Sequence, residues 1–166
     1  MNTINWQSAW IRAVSTLMTL ALMALIFSFS MEPAEASDAT SGFLSMKVIR
    51  LLWPNYNQET PERQQEIYDA VQHVVRKCAH FLEYLALGFL MRICLLSWFG
   101  PFRLLIFSAW AAGTLYAGSD ELHQLMIDGR SGQWTDVALD STGVLCGVLL
   151  SGLFIRLAER IYRKGR

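Results

Sequence analysis

Two stretches of this chain set ionisable residues at helical spacing inside otherwise apolar sequence. The first reads Arg76-Lys77-Cys78-Ala79-His80-Phe81-Leu82-Glu83-Tyr84. On a helix, Lys77, His80 and Tyr84 share one face, and Arg76, His80 and Glu83 share its neighbouring edge. The second reads Ser119-Asp120-Glu121-Leu122-His123-Gln124. There Asp120, His123 and Gln124 fall together at i, i+3 and i+4, with Glu121 pointing about a quarter-turn away. Gly129-Arg130 follow, then Trp134-Thr135-Asp136, with Asp140 one turn further on the Asp136 face.

These residue types suit an anionic ligand. Arg76, Lys77, His80 and Arg130 are cations or potential cations, and arginine holds phosphate through paired hydrogen bonds. Lys77, Tyr84, Glu121, His123, Gln124, Arg130, Asp136 and Asp140 are therefore the candidate ligand-binding residues. As an enzyme, the chain would use His80 as general acid or base, oriented by Glu83 or Asp120, and these three are the candidate catalytic residues. Whether it is an enzyme stays open. No recognisable nucleophile motif is present, since Ser119 stands beside Asp120 with no motif around it, and this favours binding. His80-x-x-Glu83 and Asp120-Glu121-x-His123 contain metal-ligand types, but no HExxH occurs, so neither a metal nor another cofactor is expected.

The elements carrying these residues belong in a membrane. The chain has 166 residues with 53% hydrophobic and 17% charged, and its net charge is zero. Mean hydropathy is +0.29, whereas a soluble domain is about a quarter charged. That composition excludes a disordered chain and a basic nucleic-acid-binding domain. Cys78, Cys94 and Cys146 lie in or beside apolar runs, with no CxxC, and read as small buried residues.

Four apolar runs stand out: Ala13–Phe29, Cys78–Phe99, Phe102–Gly118 and Val137–Ile155. Near-continuous apolar runs predict helices and not the alternation of a barrel. The expected fold is an all-α, four-transmembrane-helix bundle. Its parts are an N-terminal span within 1–30, an extra-cytoplasmic segment 31–77, a three-helix membrane core 78–156 and a basic tail 157–166. Ala34-Glu35-Ala36 resembles a signal-peptide cleavage site, but the residues ahead of Arg12 favour a retained helix. Arg156, Arg160, Arg163, Lys164 and Arg166 against Glu159 alone predict a cytoplasmic C-terminus. Four spans then put the N-terminus on the same side, and the polar residues of three helices near the outer face. Arg76 and Lys77 oppose that charge rule, and a phosphate-bearing lipid headgroup at their depth accounts for them.

Within the outer segment, Met31–Gly42 reads as a loop, and Phe43–Trp53 as a short interfacial helix ending at Pro54. Thr60 caps a new helix beginning at Pro61, with an apolar stripe of Ile67, Val71, Val74 and Val75. No Gly or Pro follows until Gly88, so this amphipathic helix can run on into the second span. Gly143 and Gly147 form a GxxxG extended by Ser151. It suits close packing inside the bundle or, alternatively, a homodimer.

The stretch Arg76–Tyr84 resembles the K-x-x-H-F-x-E-Y signature of the VanZ-like family. Asp120-Glu121 with Gln124, then Gly129-Arg130 and Asp136, resembles its second signature. Asp136, Asp140 and Gly143 resemble the opening of its last helix, with Asp at 140 where Asn is common. The resemblance covers about residues 44 to 155. It implies a small bacterial membrane protein of the cell envelope, in a family named for lowered sensitivity to the glycopeptide teicoplanin. It implies no particular reaction. Two functions follow: binding of a lipid-linked or phosphate-bearing cell-wall precursor at the outer face, or an enzyme acting on such a lipid.

Overall fold

The computed structural model describes residues 4–31, 34–127 and 133–164. Among them are five α-helices, one 3-10 turn and no strand. They are α1 (Ala9–Ser30), α2 (Ala34–Leu52), α3 (Pro61–Phe99), α4 (Leu105–Gln124) and α5 (Trp134–Lys164), with the turn Tyr56–Gln58 joining α2 to α3.

The helix ends follow local chemistry. Ser8 Oγ accepts from the Ile11 amide at 3.4 Å, and Thr60 Oγ1 accepts from the Arg63 amide at 3.4 Å, with Pro61 in the first turn. α3 stops at Gly100, whose φ of +71° suits a residue without a Cβ.

α1, the second half of α3, α4 and α5 form one bundle. Its core holds Tyr84, Leu87, Ala109, Ala117, Val144 and Val148, all at 0% exposure. Apolar burial does little to hold helices together in lipid, so small residues and hydrogen bonds take over. Ser15 meets Ser97 at 3.2 Å, Trp98 Nε1 donates to Thr16 Oγ1 at 2.9 Å, and Trp110 Nε1 donates to Ser141 Oγ at 3.0 Å. The GxxxG stripe is covered by α3 of the same chain. A methyl group on Gly143 would lie 2.6 Å from the Phe81 carbonyl oxygen, and one on Gly147 would overlap the Leu85 carbonyl. Gly88 approaches the Val144 carbonyl from the other side in the same way.

Three helices, α1, α3 and α5, are long and apolar enough to cross a membrane. α4 is not among them, because Ser119, Asp120 and Glu121 at its end lower its hydropathy. It packs between the others all the same, and Phe107 and Leu115 stay exposed on its outer side.

α3 runs unbroken for 39 residues, about 58 Å. Its first half pairs with α2 as a helical hairpin around Ile49, Ile67 and Val71. Gln72 Nε2 reaches Ser41 Oγ at 3.3 Å, and Gly42 leaves room for the Tyr68 hydroxyl. This corrects two expectations. Residues 34–42 are helical and not a loop, because Ala34, Ala36 and Ala39 favour helix and α3 gives the segment a surface to pack on. The helix ending before Trp53 begins at Ala34 and not at Phe43, and it packs against α3. The basic tail differs as well: α5 continues through it to Lys164.

Candidate functional site

Where α3, α4 and α5 meet, at the end of the bundle beside the hairpin, carboxylates converge. Asp140 is 0% exposed, and both its oxygens are buried without a hydrogen-bond partner among the described residues. Glu83, Asp120, Glu121 and Asp136 all lie within electrostatic range of it. Helical spacing accounts for the placement: Asp136 and Asp140 are one turn apart on α5, and Gly143 one turn later admits α3 closely.

α4 contributes two buried acids. Asp120 Oδ2 accepts from Gln124 Nε2 at 3.2 Å, one turn along the same helix. Glu121 Oε2 accepts from the Gln133 amide at 3.0 Å, while its Oε1 is buried without a partner among the described residues. From α3, Tyr84 is fully buried and faces Asp120, and Lys77 pairs with Asp136. Each member of the Lys77–Asp136 pair keeps 25% exposure. Coupling between Lys77→Ala and Asp136→Ala in an unfolding cycle is expected at about 1 kcal/mol. Additive effects would show that the pair contributes nothing.

Other candidates sit differently. Glu83 and His80 are half-buried on α3, and Arg76 is exposed. His123 does not join Asp120 and Gln124 as its spacing predicted. Its ring stacks on Phe27 of α1 at 4.6 Å, because α1 packs against that edge of α4. Glu121, placed a quarter-turn away, is instead buried within the cluster by α5. Ser119 is exposed and donates to the Tyr116 carbonyl at 2.7 Å, so it offers the cluster no nucleophile. Arg130 lies outside the described residues. Sequence reasoning missed Tyr116, whose hydroxyl donates to the Met23 carbonyl at 2.6 Å and ties α4 to α1 below the acids. Its position one turn before Asp120 was the available signal.

Two openings adjoin the cluster. A pocket of about 70 Å³ lies beside Glu121, between Gly118 and Trp134. A crevice of about 340 Å³ runs from Lys77 over Val74, Cys78, Phe81, Leu82 and Leu139, and its accessible wall is apolar. Among the described residues no group of three His, Cys, Asp or Glu side chains is arranged to hold a metal ion. The described cluster sets the carboxylates of Glu83, Asp120, Glu121, Asp136 and Asp140 around one paired lysine. It can therefore accept hydrogen bonds from hydroxyl, ammonium or guanidinium donors.

No curated protein and no solved structure matches the chain. A family model does, and over nearly the whole bundle. The matched region, residues 15–155, takes in the acid-bearing parts of α3, α4 and α5, and by that match the chain belongs to the VanZ/LLP1 family.

Proposed function

We propose that this VanZ-type membrane protein crosses the bacterial inner membrane four times, with both termini cytoplasmic. Its acidic cluster receives the headgroup of a lipid-linked, phosphate-bearing ligand at the outer face. The observation that carries the reading is Asp140, wholly buried with both oxygens lacking a donor among the described residues, in a cluster whose Lys77 lines an apolar crevice. An amphiphile suits that combination. Its chain lies along Val74, Phe81 and Leu82, its phosphate meets Lys77 and His80, and hydroxyl or amino groups beyond the phosphate supply donors to the carboxylates. The exposed apolar side chains of α4 support a fourth span.

Lipid analysis of protein purified from native membranes tests the ligand. The native chain is expected to retain a phosphate-bearing lipid that His80→Ala loses at least tenfold. A native protein that retains no such lipid would sink the reading. The resemblance adds a phenotype to measure on the same pair, growth of the host under teicoplanin.

Topology is tested separately in a background with Cys78, Cys94 and Cys146 replaced by serine. A cysteine at exposed Asn57 is expected to label in intact cells, and one at Lys164 to stay protected. The reverse pattern would move the acidic cluster to the cytoplasmic side.

A further inference from the structure

At the opposite end of the bundle, Arg92 of α3 sits about two turns inside the helix end at Phe99. Its Nη1 donates to the Val148 carbonyl at 2.8 Å. Its Nε is buried with no hydrogen-bond partner among the described residues, and none of the ion pairs among them involves it. Gly152 makes the space for this guanidinium, since a methyl group there would collide with Nη1. The side chain lines a cleft of about 560 Å³ bounded by Trp6, Gln7, Gly100, Ile155 and Glu159.

The one acid in that wall is already engaged. Glu159 Oε1 accepts from Trp6 Nε1 at 3.2 Å, and its Oε2 lies 4.0 Å from Arg163. A second cation, Arg156, also bears on Arg92. A guanidinium at membrane depth requires a counter-charge or water, and here the protein supplies another arginine instead. Leu96, Leu105 and Ile155 add apolar wall beside it.

We propose that this cleft binds a phosphate group, with the half-buried Arg92 as its cationic ligand. A planar fork with unused donors fits phosphate oxygens, and both phospholipid headgroups and free phosphate carry that chemistry. The site is independent of the acidic cluster and of the function proposed for it.

The test uses full-length protein stripped of lipid in a nonionic detergent. Dihexanoyl phosphatidylglycerol and inorganic phosphate are each titrated by native mass spectrometry. One equivalent is expected to bind the native chain and to bind at least tenfold more weakly to Arg92→Gln. Ile155→Trp keeps Arg92 and its Val148 bond but fills the cleft, and is expected to weaken binding to the same degree. Asn57→Ala, in the exposed turn before α3 and outside both polar sites, should bind as native. Tenfold preference for the lipid assigns the site to a headgroup, and equal affinity assigns it to free phosphate. Native-like binding by Ile155→Trp, or no binding of either probe by the native chain, overturns the proposal.

Discussion

Gly147→Ala is expected to destabilise the bundle by about 3 kcal/mol or more, read as a lowered unfolding midpoint in mixed micelles. The added methyl would overlap the Leu85 carbonyl of α3. The obstacle is helix backbone, so no rotamer change relieves it and α5 must move off α3 bodily. Gly113→Ala offers a comparison in the same core. There the methyl would meet Val144 Cγ1 at 2.6 Å, a side-chain atom. A smaller loss of about 1–2 kcal/mol is expected, because valine is stiff at χ1 and yields only in part. Val144→Ala should restore the Gly113→Ala protein and leave Gly147→Ala unimproved. Rescue of both would mean that the α3–α5 contact is looser than the glycine spacing demands.

Asp140→Asn is expected to raise stability while lowering lipid retention at least tenfold. Asp140 is fully enclosed, its oxygens find no donor among the described residues, and other carboxylates surround it. An unpartnered buried polar group costs free energy. An amide of the same volume adds donors that the surrounding carboxylates can accept, and should gain about 1–2 kcal/mol. A group held at that cost without a structural return is one that function retains. Unfolding midpoint and bound lipid, measured on the same samples, separate the two roles. A less stable Asn variant would identify Asp140 as a structural partner inside the bundle, and undiminished lipid would remove it from the site.

The converging acids were legible because helical spacing fixes faces without any tertiary information. Asp136 with Asp140, and Asp120 with Gln124, fell together as their i, i+4 spacing requires. Spacing alone does not say which neighbour covers which face. His123 shares an edge with Asp120, yet α1 reaches that edge first and takes the imidazole against Phe27. Glu121, a quarter-turn off that face, is held in the cluster by the Gln133 amide just ahead of α5, a contact that spacing does not show. The long α3 was legible from the absence of a breaker before Gly88. Its pairing with α2 was not, because the signal lies in small residues, Ser41 and Gly42, that make room for Gln72 and Tyr68. Family membership was legible from three motifs in order, and the match over residues 15–155 bears it out. The cleft at Arg92 was not legible, since one arginine in an apolar run gives no hint of what surrounds it.

The unbroken α3 has a mechanical consequence. Its closest backbone contacts with α5 lie at Leu85 against Gly147 and at Gly88 against Val144, so that stretch is the natural pivot of a rigid rod. From there the arm to Pro61 is about 40 Å and the arm to Phe99 about 16 Å. A tilt of about ten degrees would carry the hairpin tip some 7 Å and the far end about 3 Å the other way. Glu83 and Lys77 sit on the long arm above the pivot and Arg92 on the short arm just below it. The rod would act as a lever, so a push on the hairpin would move Glu83 and Arg92 in opposite directions at once.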